Sequence, residues 1–125
     1  GWKGTIARIS ARATEALCQA TGAKPSEVTA YIGPHLRGAD YAVSPELIQM
    51  FSQEFGSGVV DRASGERYLD LGYAVRAALV DAGVRESAIE EVTDSTASTT
   101  ERFFSYRAEH GKCGRHAAVA YMAAK

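Results

Sequence analysis

The sequence predicts an α/β or α+β fold in which a mixed β-sheet is covered by helices. Apolar residues recur at spacings of three and four over 5–20 and 68–82, which is the period of helices with one buried face. Short runs of β-branched and aromatic residues alternate with these segments. The resulting order of helix, strand, helix, helix, strand, strand and strand is typical of a sheet covered by helices.

The first predicted helix runs from Thr5 to about Ala20. Thr5 is a candidate N-cap, and Gly22 is a candidate stop because glycine readily takes the left-handed conformation that ends helices. The buried face is predicted to hold the apolar residues at helical spacing: Ile6, Ile9, Ala13 and Leu17.

A strand over 28–32, ended by a Gly-Pro pair, and a second helix are predicted next. The helix begins at the run SPE, residues 44–46, which supplies an N-cap, a proline at the first helical position and an acidic residue that suits the helix dipole. It ends at the glycines of 56–58. Its predicted buried stripe consists of Leu47, Met50, Phe51 and Phe55.

A third helix is predicted over 68–82, with Gly83 as its stop. Asp70 could cap this helix or pair with a buried arginine, and the sequence leaves both alternatives open. Further along, the chain is predicted to form a strand at 89–92, a polar loop at 93–100, and strands at 103–106 and 117–122.

Length and composition limit the classes of function. A chain of 125 residues suits one compact domain, and its charged fraction of 23% is ordinary for a globular protein. A formal net charge of −1 gives no cationic field, and no apolar run approaches the roughly 18 residues that span a bilayer. We therefore expect neither nucleic acid nor a membrane as a partner. Cys18 and Cys113 are too few for a disulfide scaffold, so we expect reduced thiols and a cytoplasmic location.

The metal-ligating residue types are concentrated in FFSYRAEHGKCGRHAAV, residues 103–119. His110, Cys113 and His116 recur there at intervals of three. A structural zinc site usually has four ligands in a tetrahedral array, and no fourth histidine or cysteine lies nearby in the sequence. We therefore expect no metal site at these residues. Cys113 is no stronger as a nucleophile, because proximity in sequence does not establish pairing in space.

Two arginines of the same segment and one lysine are candidate anion-binding residues. Arg107 follows a strand-like aromatic run, Arg115 lies in a glycine-flanked turn, and Lys3 stands between two glycines. Glycines let backbone N–H groups approach an anion, and a guanidinium binds phosphate or carboxylate through two hydrogen bonds. The alternative is that these side chains are solvated in surface loops, where most arginines lie.

Other residues carry weaker signals. His35 follows a strand, as ligand-binding loops of α/β proteins do, but a single histidine is more typical of an ordinary loop. We interpret Phe103, Phe104 and Tyr106 as core and edge residues rather than a stacking platform. The loop at 93–100 lacks the glycine pattern of a phosphate-binding loop, and no catalytic triad or dinucleotide fingerprint is visible.

In order along the chain, four stretches resemble one family: GWKGT, YIGPHLRGADYAVSPEL, LDLGYAVRAAL with DAGV, and FFSYRAEHGKCGRHAAVAYM. They are similar to the YfiH-like family, also called the multicopper polyphenol oxidoreductase or laccase-domain family. The match covers essentially all 125 residues. The resemblance implies an α/β fold, a mixed β-sheet or sandwich flanked by helices, like that of the cytotoxic necrotizing factor catalytic domain. It also implies a zinc-dependent purine nucleoside phosphorylase with adenosine deaminase activity.

The resemblance further implies that residues 1–125 are a single domain corresponding to the C-terminal part of a larger one. Family members are longer, and their metal ligands, two histidines and a cysteine, precede the matched region. None of the histidines and cysteines of this chain aligns with those ligands: Cys18, His35, His110, Cys113 and His116. Zinc, or copper under the older family name, is thus implied for a full-length protein, with none expected on this chain alone.

For the reaction, the resemblance implies that phosphate attacks ribose C1′ of adenosine, inosine or guanosine. Lys3, Arg107 and Arg115 are then the candidate residues that bind phosphate and substrate, and the catalytic residues stay unassigned. The parent protein is expected to be an enzyme, and this chain alone is expected to be inactive.

Two alternatives and one expectation about partners stay open. The first alternative is a non-catalytic binding module, because Ala39 or Asp40 and Ser95 replace two cysteines often seen in the family. The second is a copper-dependent polyphenol oxidoreductase. Half of a fold would expose a sheet edge and an apolar face, so we expect a missing N-terminal half or self-association as a partner.

Overall fold

The structure, a computed structural model, describes residues 1–124 and confirms the α/β class. The helices and strands are α1 (Trp2–Ile6), α2 (Ile9–Thr21), β1 (Ala30–Ile32), α3 (Pro45–Phe55), α4 (Leu71–Asp81) and β2 (Ile89–Glu91). Short 3-10 turns lie at Pro25–Glu27, Gly38–Asp40, Ser57–Val59 and Glu86–Ala88.

The two strands form a parallel pair, and the long connection between them, which contains α3 and α4, provides the crossover that a parallel pair needs. Ala30 pairs with Ile89, and Ile32 pairs with Glu91. Their carboxyl ends therefore lie side by side. This arrangement brings the loops that follow the two strands to the same edge of the sheet.

The helix predicted from Thr5 to Ala20 is broken into α1 and α2 at Arg8. Arg8 has a φ of 55°, a left-handed conformation through which a right-handed helix cannot continue. Its side chain is held by α3 and α4, because Nε donates to Glu54 Oε1 and Nη1 donates to Asp81 Oδ2 at 3.0 Å. Thr5 consequently lies inside α1 and is not an N-cap. Tertiary contacts override the local helical pattern here.

The break also changes which face of α2 is buried. Ala11 and Thr14 are buried, whereas Ile9 and Leu17 are 58% and 49% exposed. The buried face predicted from helical spacing is therefore wrong for α2, because that spacing assumed one straight helix. The predicted stop is confirmed, since Gly22 ends α2 at a φ of 73°.

The start of α3 is confirmed, whereas α4 begins at Leu71, later than predicted, because Tyr68 and Leu69 form bridges to Ala42 and Val60 instead. Ser44 Oγ accepts from Leu47 N at 3.2 Å, and Asp70 Oδ1 accepts from Tyr73 N at 3.0 Å. The second bond resolves the open question about Asp70 in favour of a cap. The prediction that Met50 belongs to the buried stripe of α3 is wrong, because Met50 is 44% exposed.

The hydrophobic core lies among α1, α3 and α4, around Phe51, Val59 and Leu69, which are fully buried. A smaller apolar cluster, Leu79, Val84 and Ile89, packs between α4 and the sheet. No helix within residues 1–124 is long and apolar enough to cross a bilayer.

The strands predicted at 103–106 and 117–122 do not form. Residues 105–111 make turns instead, with Glu109 N donating to Ser105 O at 2.9 Å and Gly111 N donating to Tyr106 O at 2.8 Å. Residues 112–124 form neither helix nor strand. A strand needs a neighbour for its backbone groups, and nothing in the described chain pairs with these segments.

Candidate functional site

A cleft of about 560 Å³ lies at the carboxyl ends of β1 and β2. Small molecules bind at this edge of parallel sheets, and sites for them usually measure roughly 300–1,000 Å³. The cleft is lined by Gly1, Trp2, Pro34, His35, Leu36, Tyr41, Leu71, Thr96, Phe104, Ser105, Tyr106, Arg107 and His116.

Backbone pairing beyond the two strands brings His35 and Thr96 together in the wall of the cleft. His35 forms a parallel bridge with Ser95, and Thr96 N donates to His35 O at 3.0 Å. The side chain of Ser95 also accepts a hydrogen bond from Arg37 N at 3.3 Å. The predicted polar loop at 93–100 is confirmed, and these contacts fix its buried part against the loop after β1.

Neither ring nitrogen of His35 faces the open cleft. Nδ1 lies 2.9 Å from Gly33 O, and it must carry the proton because a carbonyl oxygen only accepts. Nε2 is buried 3.4 Å from Glu91 Oε1 without forming a hydrogen bond. His35 therefore contributes a ring edge to the wall and presents neither ring nitrogen to the open cleft in this conformation.

Behind His35, the Glu91 carboxylate is held between two guanidinium groups. Arg37 Nη1 donates to Oε1 at 2.8 Å, and Arg76 Nη2 donates to Oε2 at 3.3 Å. The Glu91 side chain is only 17% exposed, so two cations compensate a largely desolvated charge. Gly72 allows this approach, because a Cβ at that position would overlap the carboxylate.

Tyr41 and Arg107 form a stacked pair on the cleft. Arg107 Cζ lies 5.0 Å from the centroid of the Tyr41 ring, and Nη1 donates to Ala42 O at 3.0 Å. Burial raises the pKa of the Tyr41 phenol above its usual 10.0, and the Arg107 charge opposes that rise. The phenol therefore stays protonated at neutral pH. The other N–H groups of Arg107 make no hydrogen bond within residues 1–124 and can reach an anion.

The outer rim of the cleft is aromatic. Phe104 and Tyr106 are 47% and 70% exposed, which makes their interpretation as core and edge residues wrong. The His116 ring stacks on Phe104 with a centroid separation of 6.5 Å and an angle of 15°. Exposed aromatic faces of this kind are suited to stacking against a planar ligand.

The other two predicted anion-binding residues lie beside the cleft. Lys3 is exposed on α1, with Nζ 5.7 Å from the Trp2 ring centroid. Arg115 Nη1 donates to Gly114 O at 3.1 Å, and its guanidinium lies 5.9 Å from the Tyr106 ring centroid. Arg115 lines a smaller pocket of about 210 Å³ that shares the aromatic rim with the cleft. Of the three candidates, Arg107 alone lines the cleft among the described residues.

Comparison with known proteins identifies the family of this chain. Residues 1–123 match the family described as multi-copper polyphenol oxidoreductase laccase. The chain belongs to this family. Its resemblance to the YfiH-like family, deduced from the sequence, is thereby confirmed.

Three characterised relatives from this family match most of the chain. A purine nucleoside phosphorylase of Deinococcus radiodurans is 37% identical over 120 residues, covering 95% of this chain and 45% of the relative. The purine nucleoside phosphorylase YlmD of Bacillus subtilis is 30% identical over 118 residues, covering 92% and 42%. Adenosine deaminase RL5, from an unknown prokaryotic organism, is 32% identical over 111 residues, covering 86% and 42%.

Two solved structures share the fold. YfiH of Bacillus licheniformis, a hypothetical protein, has a TM-score of 0.76 and 30% identity, with 90% of this chain and 43% of that chain covered. YlmD of Geobacillus stearothermophilus has a TM-score of 0.78 and 27% identity, with 91% and 44% covered. This chain thus spans less than half the length of the relatives it matches.

The copper in the family's name has no fitting donor set in the described part of this chain. Residues 1–124 contain no group of three or more His, Cys, Asp or Glu side chains that could hold a metal ion. In the His110, Cys113 and His116 set, Cys113 Sγ instead accepts from Arg115 Nη1 at 3.6 Å, and His116 stacks on Phe104.

Several residues of the site were not found from the sequence. Tyr41 stands alone in a loop, and Glu91 looks like one of a solvated acidic pair. Thr96 lies in a hydroxyl-rich stretch whose only signal was composition. The partners of all three are more than 50 residues away or on another element, so no local pattern marks them.

Proposed function

We propose that this chain forms the substrate-binding part of an enzyme that cleaves purine nucleosides with phosphate and also deaminates adenosine. The names of three relatives in the family support the reaction class. The observation that carries the proposal is the pairing, in one cleft at the carboxyl ends of parallel strands, of Arg107 with an exposed aromatic rim. Arginine suits phosphate, and aromatic faces suit a purine.

In phosphorolysis, a phosphate oxygen bonds to ribose C1′ while the bond from C1′ to the purine nitrogen breaks. The purine leaves with the bonding electron pair and takes up a proton, so the products are ribose 1-phosphate and the free base. Holding the phosphate in line with C1′ supplies much of the rate acceleration. We assign this role to Arg107, whose guanidinium is fixed by Ala42 O and the Tyr41 ring.

Lys3 and Arg115 have a secondary place in the proposal. Both lie at the margin of the cleft, where their charges would attract phosphate and nucleotide-like anions without touching the reacting atoms. Adenosine, inosine and guanosine are the candidate nucleosides, and the aromatic rim suits each of them equally.

The cofactor and the cellular location stay predictions. Zinc, or copper under the older name, is implied by the family resemblance for a full-length protein, and the donors in residues 1–124 do not fit either ion. No step of the reaction is therefore assigned to a metal. Cys18 and Cys113 are free thiols, as a reducing cytoplasmic location would require.

We also propose that a second polypeptide segment covers the outer side of β1. A groove of about 440 Å³ lies there between α2, β1 and α4, and Leu17 and Tyr31 on it are 49% and 74% exposed. In the described chain, β1 pairs with β2 alone, so its other edge offers free backbone groups. The candidates are the remaining half implied by the longer relatives, or a second copy of this chain.

The test combines an activity assay with the oligomeric state. Inosine and phosphate are supplied to this chain alone and to this chain joined to the N-terminal half of a relative, and hypoxanthine release is measured. We expect release from the joined protein and little from the chain alone. Light scattering should detect association of the chain alone, and a stable monomer would contradict the proposed cover over β1.

The two alternative functions predict different results in the same experiment. A non-catalytic module would bind inosine without releasing hypoxanthine even when joined. A polyphenol oxidoreductase would oxidise a phenol with copper supplied and leave inosine intact. Either outcome would overturn the proposed phosphorolysis.

A further inference from the structure

Two hydroxyl groups in the cleft lack a hydrogen-bond partner within residues 1–124. They belong to Tyr41 and Thr96, each only 7% exposed and each lining the cleft. Neither hydroxyl is among the buried polar atoms that are sealed from solvent, so both stay open to the cleft. Because each hydroxyl has no partner in the described chain and is still accessible, it is available to a molecule bound in the cleft.

Both residues are fixed in position by contacts that leave the hydroxyl unused. Thr96 is held through its backbone, because its N–H donates to His35 O at 3.0 Å. Tyr41 is also held through its backbone, because Leu69 N–H donates to Tyr41 O at 2.9 Å. The Tyr41 ring stacks against the Arg107 guanidinium. The two hydroxyls are therefore preorganised for something outside the chain.

The chemistry of the two groups selects the kind of ligand. A neutral hydroxyl both donates and accepts, so it is matched best by another hydroxyl or a similar neutral group. Burial keeps the Tyr41 phenol neutral, since it raises the pKa of that group. The exposed rim of Phe104 and Tyr106 is aromatic and suits a purine base. The sugar is then left to contact the more buried lining residues, which include Tyr41 and Thr96.

We propose that the Tyr41 and Thr96 hydroxyls bind the ribose hydroxyls of the nucleoside and make the cleft selective for ribonucleosides over 2′-deoxyribonucleosides. This inference rests on the proposed function and assigns specificity residues to the same site. A ligand without the 2′-hydroxyl leaves one of these hydroxyls without its hydrogen-bond partner, and it should therefore bind more weakly. Arg107 beside Tyr41 then positions phosphate next to the sugar rather than next to the base.

The test compares the binding of inosine and 2′-deoxyinosine by calorimetry, with the protein in the form that is active on inosine. The wild-type protein should bind inosine about 10-fold more tightly than 2′-deoxyinosine, as expected for one buried hydrogen bond. Tyr41→Phe and Thr96→Val are measured alongside it. At least one should lose most of this preference, chiefly through weaker inosine binding.

Two control variants and a folding check accompany these measurements. Thr93→Val changes an exposed threonine of the same loop, and Tyr73→Phe changes a tyrosine outside the cleft. Both should keep the wild-type preference. Thermal unfolding of each variant verifies that the substitution has not destabilised the fold.

The outcomes separate the two proposals. If the wild-type protein binds neither nucleoside, the proposed function fails and this inference fails with it. If it binds both equally, or if both cleft variants keep the 10-fold preference, the specificity role is overturned while nucleoside binding stands.

Discussion

Arg37 Nη1 donates a 2.8 Å hydrogen bond to Glu91 Oε1, which joins the loop after β1 to the last residue of β2. Arg37 also donates to Val92 O at 3.3 Å, so one side chain binds two neighbouring groups at the end of the sheet. Arg76 binds the second carboxylate oxygen from α4. The wall of the cleft that contains His35 is therefore supported by a charge cluster and not by apolar packing alone.

Replacing Glu91 by glutamine should destabilise the fold by about 2 kcal/mol, because it removes the charge that compensates two partly buried guanidinium groups. Urea unfolding measures the loss. Glu90→Gln is the matched control, since Glu90 is the neighbouring exposed carboxylate of the same strand, and it should change stability little. Equal losses from the two variants would mean that the cluster contributes nothing specific.

Gly72→Ala should cost about 1–3 kcal/mol, because the added methyl group would overlap the Glu91 carboxylate, and two arginines prevent that carboxylate from moving away. Gly33→Ala is the control, as a Cβ at Gly33 meets no heavy atom within 4 Å. Thermal unfolding of the pair gives the comparison. A Gly72→Ala variant as stable as its control would show that the carboxylate is free to shift.

The cap Ser44 was predicted from the sequence and the cap Asp70 was one of two alternatives, whereas the predicted cap Thr5 was wrong and the cleft was not predicted. Ser44 and Asp70 act on N–H groups three residues away, so the pattern that defines them is local. Arg8 looked like a polar residue in a straight helix, and its left-handed conformation depends on carboxylates 46 and 73 residues further along. Local periodicity contains no information about such partners.

The same limit explains the errors near the C-terminus. The aromatic run that includes Phe104 has the composition of a strand, but strand formation needs a paired neighbour. Residues 1–124 supply none to it. Arg107 was predicted as an anion-binding candidate because it follows a strand-like aromatic run. Tyr41, its stacking partner, comes from a loop 66 residues earlier and has no such local context.

The left-handed conformation of Arg8 leads to a prediction that compares two substitutions. Arg8→Ala and Arg8→Gly both remove the contacts to Glu54 and Asp81, but only alanine keeps a Cβ at a φ of 55°. Arg8→Gly should therefore be more stable than Arg8→Ala by about 1 kcal/mol. Urea unfolding measures the difference. An alanine variant of equal or greater stability would indicate that the chain straightens into one helix when the side chain is lost.

Burial of Tyr41 should make stability depend on alkaline pH. Burial raises the folded-state pKa of this phenol above its usual 10.0, so the folded state retains the proton longer than the unfolded state does. The corresponding stabilisation is complete below pH 10.0 and is lost as the pH rises through the folded-state pKa. Unfolding free energies of the wild type and Tyr41→Phe, measured from neutral to alkaline pH, should fall more steeply for the wild type. Parallel curves would contradict this.

Arg107→Gln should weaken the binding of inorganic phosphate by about 10-fold, since it removes the one arginine or lysine side chain that lines the cleft in the described chain and replaces a charged donor by a neutral one. Calorimetry with phosphate alone measures this without any catalytic step.

Arg62→Gln is the matched control, because Arg62 is an exposed arginine paired with Glu66 and lies outside the cleft. If phosphate binding depended only on the net positive charge of the protein, it would weaken equally in both variants. This weakening would disappear at high salt. A loss confined to Arg107→Gln that persists at high salt is what a fixed guanidinium over Tyr41 predicts. Equal effects in the two variants would contradict a phosphate site at Arg107.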